Sequence, residues 1–338
     1  MKSTAELNKK LSEPSERLIN DLSDMEGDIL ILGVAGKMGI SLATLAKQAF
    51  RKSGSPGKVI GVSRFSNPKY RKELDDEGIT TIKADLMDDR ELQALPDAKY
   101  VIFLVGTKFG TRGNECYTWA LNSYLPGRVA DKYRRSSIVA FSTGNVYPFV
   151  DIKSGGPTEE DPTGPVGEYA QSCLGRERVF EYFSLTNKTP LLIYRLNYAI
   201  DMRYGVLLEV AQSVYEGRSI DVSTGYVNVI WQGDANEIAL RSLKKCSSPA
   251  NVLNVTGPEV VSVRWLAEQF GERFNRKPVI VNKEKPTALL SNASKSRRLF
   301  GDPLISLHQM IEWTAEWVKS GGETLGKPTH FQERKGAY

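Results

Sequence analysis

The sequence predicts an α/β protein: a doubly wound parallel sheet followed by a smaller mixed α/β lobe. Three observations carry that expectation. Six apolar runs of strand length recur through the first two hundred residues, and most are separated by stretches with helical spacing. The runs are apolar throughout rather than alternating, as strands covered on both faces must be. The first of them ends in a glycine-rich turn that leads straight into a helix.

In chain order, residues 1–27 carry one helical segment, LSEPSERLINDLSDMEG, with Leu18, Ile19 and Leu22 at helical spacing and Gly27 as its stop. They read as an N-terminal extension. DILIL (28–32) is the first strand and KMGISLATLAKQAF its helix. KVIGVS (58–63), ITTIKA (79–84) and YVIFLVG (100–106) are the next three strands. A helix over NECYTWALNSYLPGRVADKY precedes the fifth strand, SIVAFS (137–142). A helix over GEYAQSCLGRERVFEYFS precedes the sixth, TPLLIYRLN (189–197). Strands alternating with helices in this way imply a parallel sheet with both faces covered, over residues 28–200. Residues 201–325 are the second lobe: helical 205–217, strand-like SIDV and YVNVIW, helical DANEIALRSL, strand-like NVLNV, helical VRWLAEQFGERF, strand-like PVIV and a terminal helix over 304–319. Some of these elements are expected to return to the first domain. The lobe laid against the sheet leaves a cleft between them. The tail, 326–338, has no role that its residues reveal.

Composition removes several classes of function. The 45 basic residues exceed the 40 acidic ones by five and are interleaved with them, which predicts no nucleic-acid partner. Cys116, Cys173 and Cys246 stand far apart, so no disulfide framework is expected and a reducing, cytoplasmic compartment is. Two histidines, His308 and His330, leave no histidine-based metal site or triad, and no metal is expected. The apolar runs fall short of the roughly 18 residues of a membrane span, and the polar N-terminus lacks a signal peptide's core.

The glycine turn reads Gly33-Val34-Ala35-Gly36-Lys37-Met38-Gly39. Glycines there let the backbone turn tightly and approach a pyrophosphate, and the helix N-terminus behind them offers free N–H groups. The expectation is a Rossmann-type, dinucleotide-binding domain. At the end of the second strand an acid would bind the ribose 2′-hydroxyl of NAD. The sequence has Ser63-Arg64 instead, which leaves NADP or NAD open and favours NADP.

These residues resemble the extended short-chain dehydrogenase/reductases, the NAD-dependent epimerase/dehydratase group, over roughly 28–320. The resemblance rests on ordered signals: the glycine turn, Asp85-Leu86, Leu104-Val105-Gly106-Thr107-Lys108, Ser142-Thr143-Gly144-Asn145-Val146-Tyr147, Tyr169 in EYAQS, Arg195-Leu196-Asn197, Asp234 in WQGDANEIAL, NVTGPEVVSV and NASK. It implies that Asp85 and Leu86 flank the adenine. Val105, Gly106 and Lys108 would line the cofactor path, and Asn122 would fall near the nicotinamide. Thr143 would orient the reacting hydroxyl and Tyr169 would move its proton. Asn145 and Asn197 join Thr143 and Tyr169 as candidate substrate contacts. The resemblance also implies a homodimer through the helices at 113–133 and 167–184, with Trp119, Tyr124, Val179 and Phe183 as candidate contacts.

One position breaks the pattern. The family's tyrosine is followed four residues on by a lysine that grips the cofactor ribose and lowers the tyrosine pKa. Here Cys173 stands at that place. Three consequences remain open: Lys108 substitutes as the cation, the tyrosine acts weakly, or the chain binds cofactor without turning it over. Further departures bear on the substrate. Gly144-Asn145 replaces the acidic pair of the sugar dehydratases. Val227 stands where the nucleotide-sugar epimerases carry an arginine, and leucine replaces an aromatic in ALLSNASK. A free sugar, sugar acid or polyol is expected, with oxidoreduction and epimerisation both open.

Overall fold

The computed structural model describes residues 1–337. Its centre is a sheet of seven parallel strands: β1 (Ile29–Leu32), β2 (Val59–Ser63), β3 (Thr80–Lys83), β4 (Tyr100–Phe103), β5 (Ser137–Thr143), β6 (Leu191–Leu196) and β7 (Asn251–Val255). Their spatial order is β7-β6-β5-β4-β1-β2-β3. The order reverses between β1 and β4, and a crevice opens there beyond the strands' carboxyl ends. The seventh strand comes from the NVLNV segment of the second lobe. Every residue of β1 and β4 is buried, which is why those runs are apolar without alternation.

Helices α1 (Thr4–Ser12), α2 (Glu16–Ser23), α3 (Gly39–Ser53), α4 (Pro68–Asp76) and α5 (Asp89–Ala94) precede or link the first strands. Then follow α6 (Glu115–Trp119), a π-helical turn (Ala120–Tyr124), α7 (Leu125–Lys132) and the long α8 (Gly167–Asn187). The later part of the chain holds α9 (Val206–Glu216), α10 (Gln232–Arg241), α11 (Val263–Phe274), α12 (Ser294–Phe300) and α13 (Leu307–Lys319); α9, α11 and α13 build the second lobe, while α10 and Phe300 of α12 return to the core of the first domain. No helix among the described residues is long and apolar enough to cross a membrane.

Four expectations need correction. The N-terminal extension holds two helices, because Pro14 pushes Glu13 into extended backbone and ends the first. Nor is it an appendage. Leu18 and Leu22 are buried in the core on one face of the sheet, and Leu7 and Leu11 in the core of the second lobe. The helix expected over 113–133 is interrupted by the π turn. Pro126 has no N–H for the Asn122 carbonyl, and Arg176 Nε donates to that oxygen instead at 3.2 Å. Val179 and Phe183 pack against α7 of their own chain, within reach of Gly127, while Trp119, Tyr124 and Tyr182 are the exposed aromatics on that side. Finally, the tail is folded onto the body, with Thr329 and Phe331 each only 2% exposed.

Candidate active site

The turn between β1 and α3 is fixed before any ligand is considered. Gly33 has φ +90, a left-handed conformation, and its N–H and that of Val34 both donate to the Val62 carbonyl. A Cβ on Gly39 would overlap the Val34 backbone, so α3 packs this closely on β1 only with glycine there. The Lys37 and Met38 N–H groups have no acceptor among the described residues, and both residues line the crevice. Free donors at the N-terminus of a 15-residue helix suit a pyrophosphate. Because Val62 binds the turn, Ser63 and the exposed Arg64 adjoin it at the end of β2. Asp85 and Leu86 follow β3 on the same edge. The Asp85 carboxylate accepts from Met87 N at 3.0 Å, and Leu86 is buried.

The crevice has a volume of about 300 Å³. Gly33, Gly36, Lys37, Met38 and Gly39 form one wall, Thr143, Asn145 and Tyr169 another, and Lys108, Asn197, Tyr204 and Thr329 its floor and far side. A larger cavity of about 660 Å³ lies between α1 and α3 and shares Gly36 and Lys37, but it contains neither Thr143 nor Tyr169.

Thr143 ends β5. Its hydroxyl donates to Asn145 Oδ1 at 3.0 Å and accepts from Asn145 N at 3.2 Å. Behind it, Ser142 Oγ donates to Glu177, which is paired with Arg195 at 2.7 Å, both carboxylate and guanidinium being buried. Arg195 also donates to the Tyr147 hydroxyl at 2.7 Å, and Tyr147 donates to Asn254 at 2.9 Å. This network ties β5, α8, β6 and β7 together directly beneath Thr143. Asn197 Nδ2 and Ser291 Oγ are buried polar atoms without a partner, and both residues crowd Gly144. Such donors are costly unless a ligand satisfies them.

Tyr169 and Cys173 lie one turn apart on α8, and their side chains are hydrogen-bonded. Cys173 is 1% exposed, and burial pushes its thiol up against the pull of Arg176 and Lys108. Cys173, a candidate cofactor contact by its position in the sequence, does not line the crevice; it packs beneath the tyrosine with Val146 and Tyr147. A lysine from another element reaches the tyrosine. Lys108 Nζ lies 5.8 Å from the Tyr169 ring centre and close enough to Cys173 for their charges to interact. Burial lowers its ammonium to about 8, against the pull of Cys173 and Glu209.

Asn122 also departs from expectation. It sits in the π turn, fully buried, and does not line the crevice. Its Oδ1 accepts from Thr107 N at 3.0 Å and Arg176 Nη2 at 2.9 Å, and its Nδ2 donates to Thr107 O and Ser172 Oγ. It holds the loop that presents Lys108. Gly106 lies over the same arginine, where a Cβ would overlap Arg176 Nη2. Val105 packs on Gly33 and the core rather than lining the crevice.

Sequence reasoning named Lys37 with the turn but missed its reach, and missed two further residues. Lys37 reaches across the crevice, donating to Ala199 O at 3.2 Å with its ammonium 3.7 Å over the Tyr204 ring. That amine is walled in although much of the side chain is open to solvent, and desolvation pushes it down to about 7, against Asp201. Tyr204 itself and Thr329 are the other two, and neither carries a local signal because both arrive by long-range folding.

The match to a model of the NAD dependent epimerase/dehydratase family covers residues 29–220. None of the curated proteins compared matches the chain significantly. Among solved structures, the dTDP-glucose 4,6-dehydratase of Bacillus anthracis str. Ames, in complex with NAD, is 18% identical at a TM-score of 0.72, covering 86% of this chain and 96% of that one. Pal from Bacillus thuringiensis is 18% identical at 0.70, covering 87% and 99%. The UDP-glucose 4-epimerase of Thermotoga maritima, with UDP-glucose, is 16% identical at 0.69, again covering 87% and 99%.

Proposed function

The chain belongs to the NAD-dependent epimerase/dehydratase family, and from that premise we propose that it moves hydride to or from a hydroxyl-bearing carbon of a small free sugar, sugar acid or polyol. A bound nicotinamide dinucleotide supplies or takes up the hydride. The residues of the chain do the rest. The glycine turn and Lys37 hold the pyrophosphate. Thr143, kept in place by Asn145, orients the reacting hydroxyl. Tyr169 takes the hydroxyl proton on oxidation and returns it on reduction, and the Lys108 ammonium stabilises its phenolate. Asn197 lines the crevice, and its unpartnered Nδ2 would be satisfied by a substrate hydroxyl. Epimerisation would use the same step twice.

The observation that carries this reading is the position of Lys108. A lysine from the loop after β4 stands beside Tyr169, so the cation lost at Cys173 is replaced in space though not in sequence. The substrate reading leans on two apolar sites. Val227 is fully buried, and Leu289 and Leu290 are buried as well, so neither place adds a charged or aromatic contact to a diphosphate. Solved neighbours carry NAD, while Ser63 and the exposed Arg64 favour NADP. We also assign a homodimer to the face of α6 and α8 that exposes Trp119, Tyr124 and Tyr182, and a cytoplasmic location.

The test is titration of the purified protein with NADH and NADPH, followed by a screen of sugars, sugar acids and polyols for change in nicotinamide absorbance. Turnover that is abolished in Tyr169→Phe supports the reading. Dinucleotide binding with no turnover on any of these substrates would favour a binding protein over an enzyme.

A further inference from the structure

The final residues run across the mouth of the crevice and are fastened to both of its sides. From the second lobe, Glu209 accepts from Thr329 N and from Thr329 Oγ1, the latter at 2.8 Å. The Thr329 carbonyl accepts from Lys108 Nζ at 3.4 Å, on the first lobe. Phe331 is buried in the core of the second lobe, and the Gln332 carbonyl accepts from Thr224 Oγ1 at 3.4 Å. Arg334 donates to Thr287 O at 2.8 Å and Thr287 Oγ1 at 2.6 Å, with its guanidinium 4.2 Å over the Phe149 ring. Gly336 then lies on the Val166-Gly167 backbone, so closely that a Cβ there would overlap the Val166 carbonyl oxygen. Gly167 begins α8, two residues before Tyr169.

The path has a consequence for what the crevice accepts. One end is bounded by the glycine turn, which suits the dinucleotide. On the other side Thr329 lines the crevice, and beyond it the tail lies on Phe149, Thr287 and Gly167, with Gly167 two residues before Tyr169. A substrate tethered to a bulky carrier must pass its carrier out along that side. We propose that residues 327–337 form a strap that closes the substrate end of the crevice and restricts it to small substrates without a nucleoside diphosphate carrier. The strap is a specificity element, and its Thr329 carbonyl meets Lys108. The proposal deepens the functional reading above and rests on it.

The test uses UDP-glucose as a nucleotide-sugar probe, titrated by calorimetry into protein saturated with NADH or NADPH. Three proteins are compared: the full chain, a variant ending at Gly326, and Gly336→Val. The valine cannot keep the left-handed φ of +74 or the contact with Val166, so it lifts the end of the strap and leaves Phe331 in place. The expected result is no binding of UDP-glucose by the full chain and at least tenfold tighter binding by both variants. If truncation abolishes dinucleotide binding through misfolding, Gly336→Val alone carries the comparison. Equal binding of UDP-glucose by the full chain and the variants overturns the strap. So does its absence in variants that still bind dinucleotide. Failure of the full chain to bind either dinucleotide instead defeats the functional reading, and the strap's role with it.

Discussion

Replacing Lys108 by Met keeps the length and apolar stem of the side chain and removes its charge. If Lys108 stands in for the lysine lost at Cys173, the loss must appear on Tyr169. Their separation of 5.8 Å from ammonium to ring centre gives an attraction for the phenolate of about 3 kcal/mol at an effective dielectric near 20. At about 1.4 kcal/mol per decade, that is roughly a hundredfold fewer phenolates at a given pH. The assay is ultraviolet difference titration of the wild type and Lys108→Met, each referenced to the same protein carrying Tyr169→Phe, so that only one of the fourteen tyrosines is read. Phenolate absorbance should emerge at higher pH in the methionine variant, by at most about two units because Lys108 itself loses its proton near 8. Once a substrate is in hand, the pH profile of turnover should move by a similar amount, with little change in substrate KM. If Tyr169 titrates identically with and without Lys108, the replacement argument is wrong and Cys173 marks a real loss of function.

Three further outcomes follow from other titratable groups of the protein. The Lys37 amine, near 7 in the free protein, should gain a proton when a pyrophosphate arrives beside it. Calorimetry in buffers of different ionisation heat should therefore detect proton uptake on dinucleotide binding between pH 7 and 8, and Lys37→Met should abolish it. Glu177→Ala strands the buried Arg195 and should lower stability by about 3–5 kcal/mol in urea unfolding; unchanged stability would show that water reaches the guanidinium. Burial raises Asp234 to about 7. The folded state then binds more protons than the unfolded one between roughly pH 4 and 7, so this residue's stabilising share is complete in acid and is lost as pH rises through that window. Over it the cost is about 4 kcal/mol, from a shift of about three units. Asp234→Asn should flatten that slope, and an unaltered pH–stability curve would refute the assignment.

How much could be read in advance depended on how far the deciding forces act along the chain. The six strands of the first domain and the turn at Gly33–Gly39 were legible because apolar continuity, glycine placement and helical spacing are local signals. The order of Thr143, Tyr169 and Asn197 was legible for the same reason: each ends or begins an element whose boundary the residues mark. Cys173 was visible as a departure, but what compensates for it was not decided by local pattern. The approach of Lys108 to Tyr169 depends on a loop held by Asn122 and Arg176, and the latter lies 54 residues further along. Pro126 could have signalled the break in the 113–133 helix; helical spacing on either side concealed it. The N-terminal helices and the tail were misread for the opposite reason. Their local patterns are ordinary, and only packing against distant partners makes Leu7, Leu11 and Phe331 core residues and Thr329 a neighbour of Lys108. The sequence by itself determined the elements and the chemistry they carry. Tertiary structure alone decided which cation meets Tyr169 and what lies across the substrate end of the crevice, since both rest on contacts between segments that no local periodicity links.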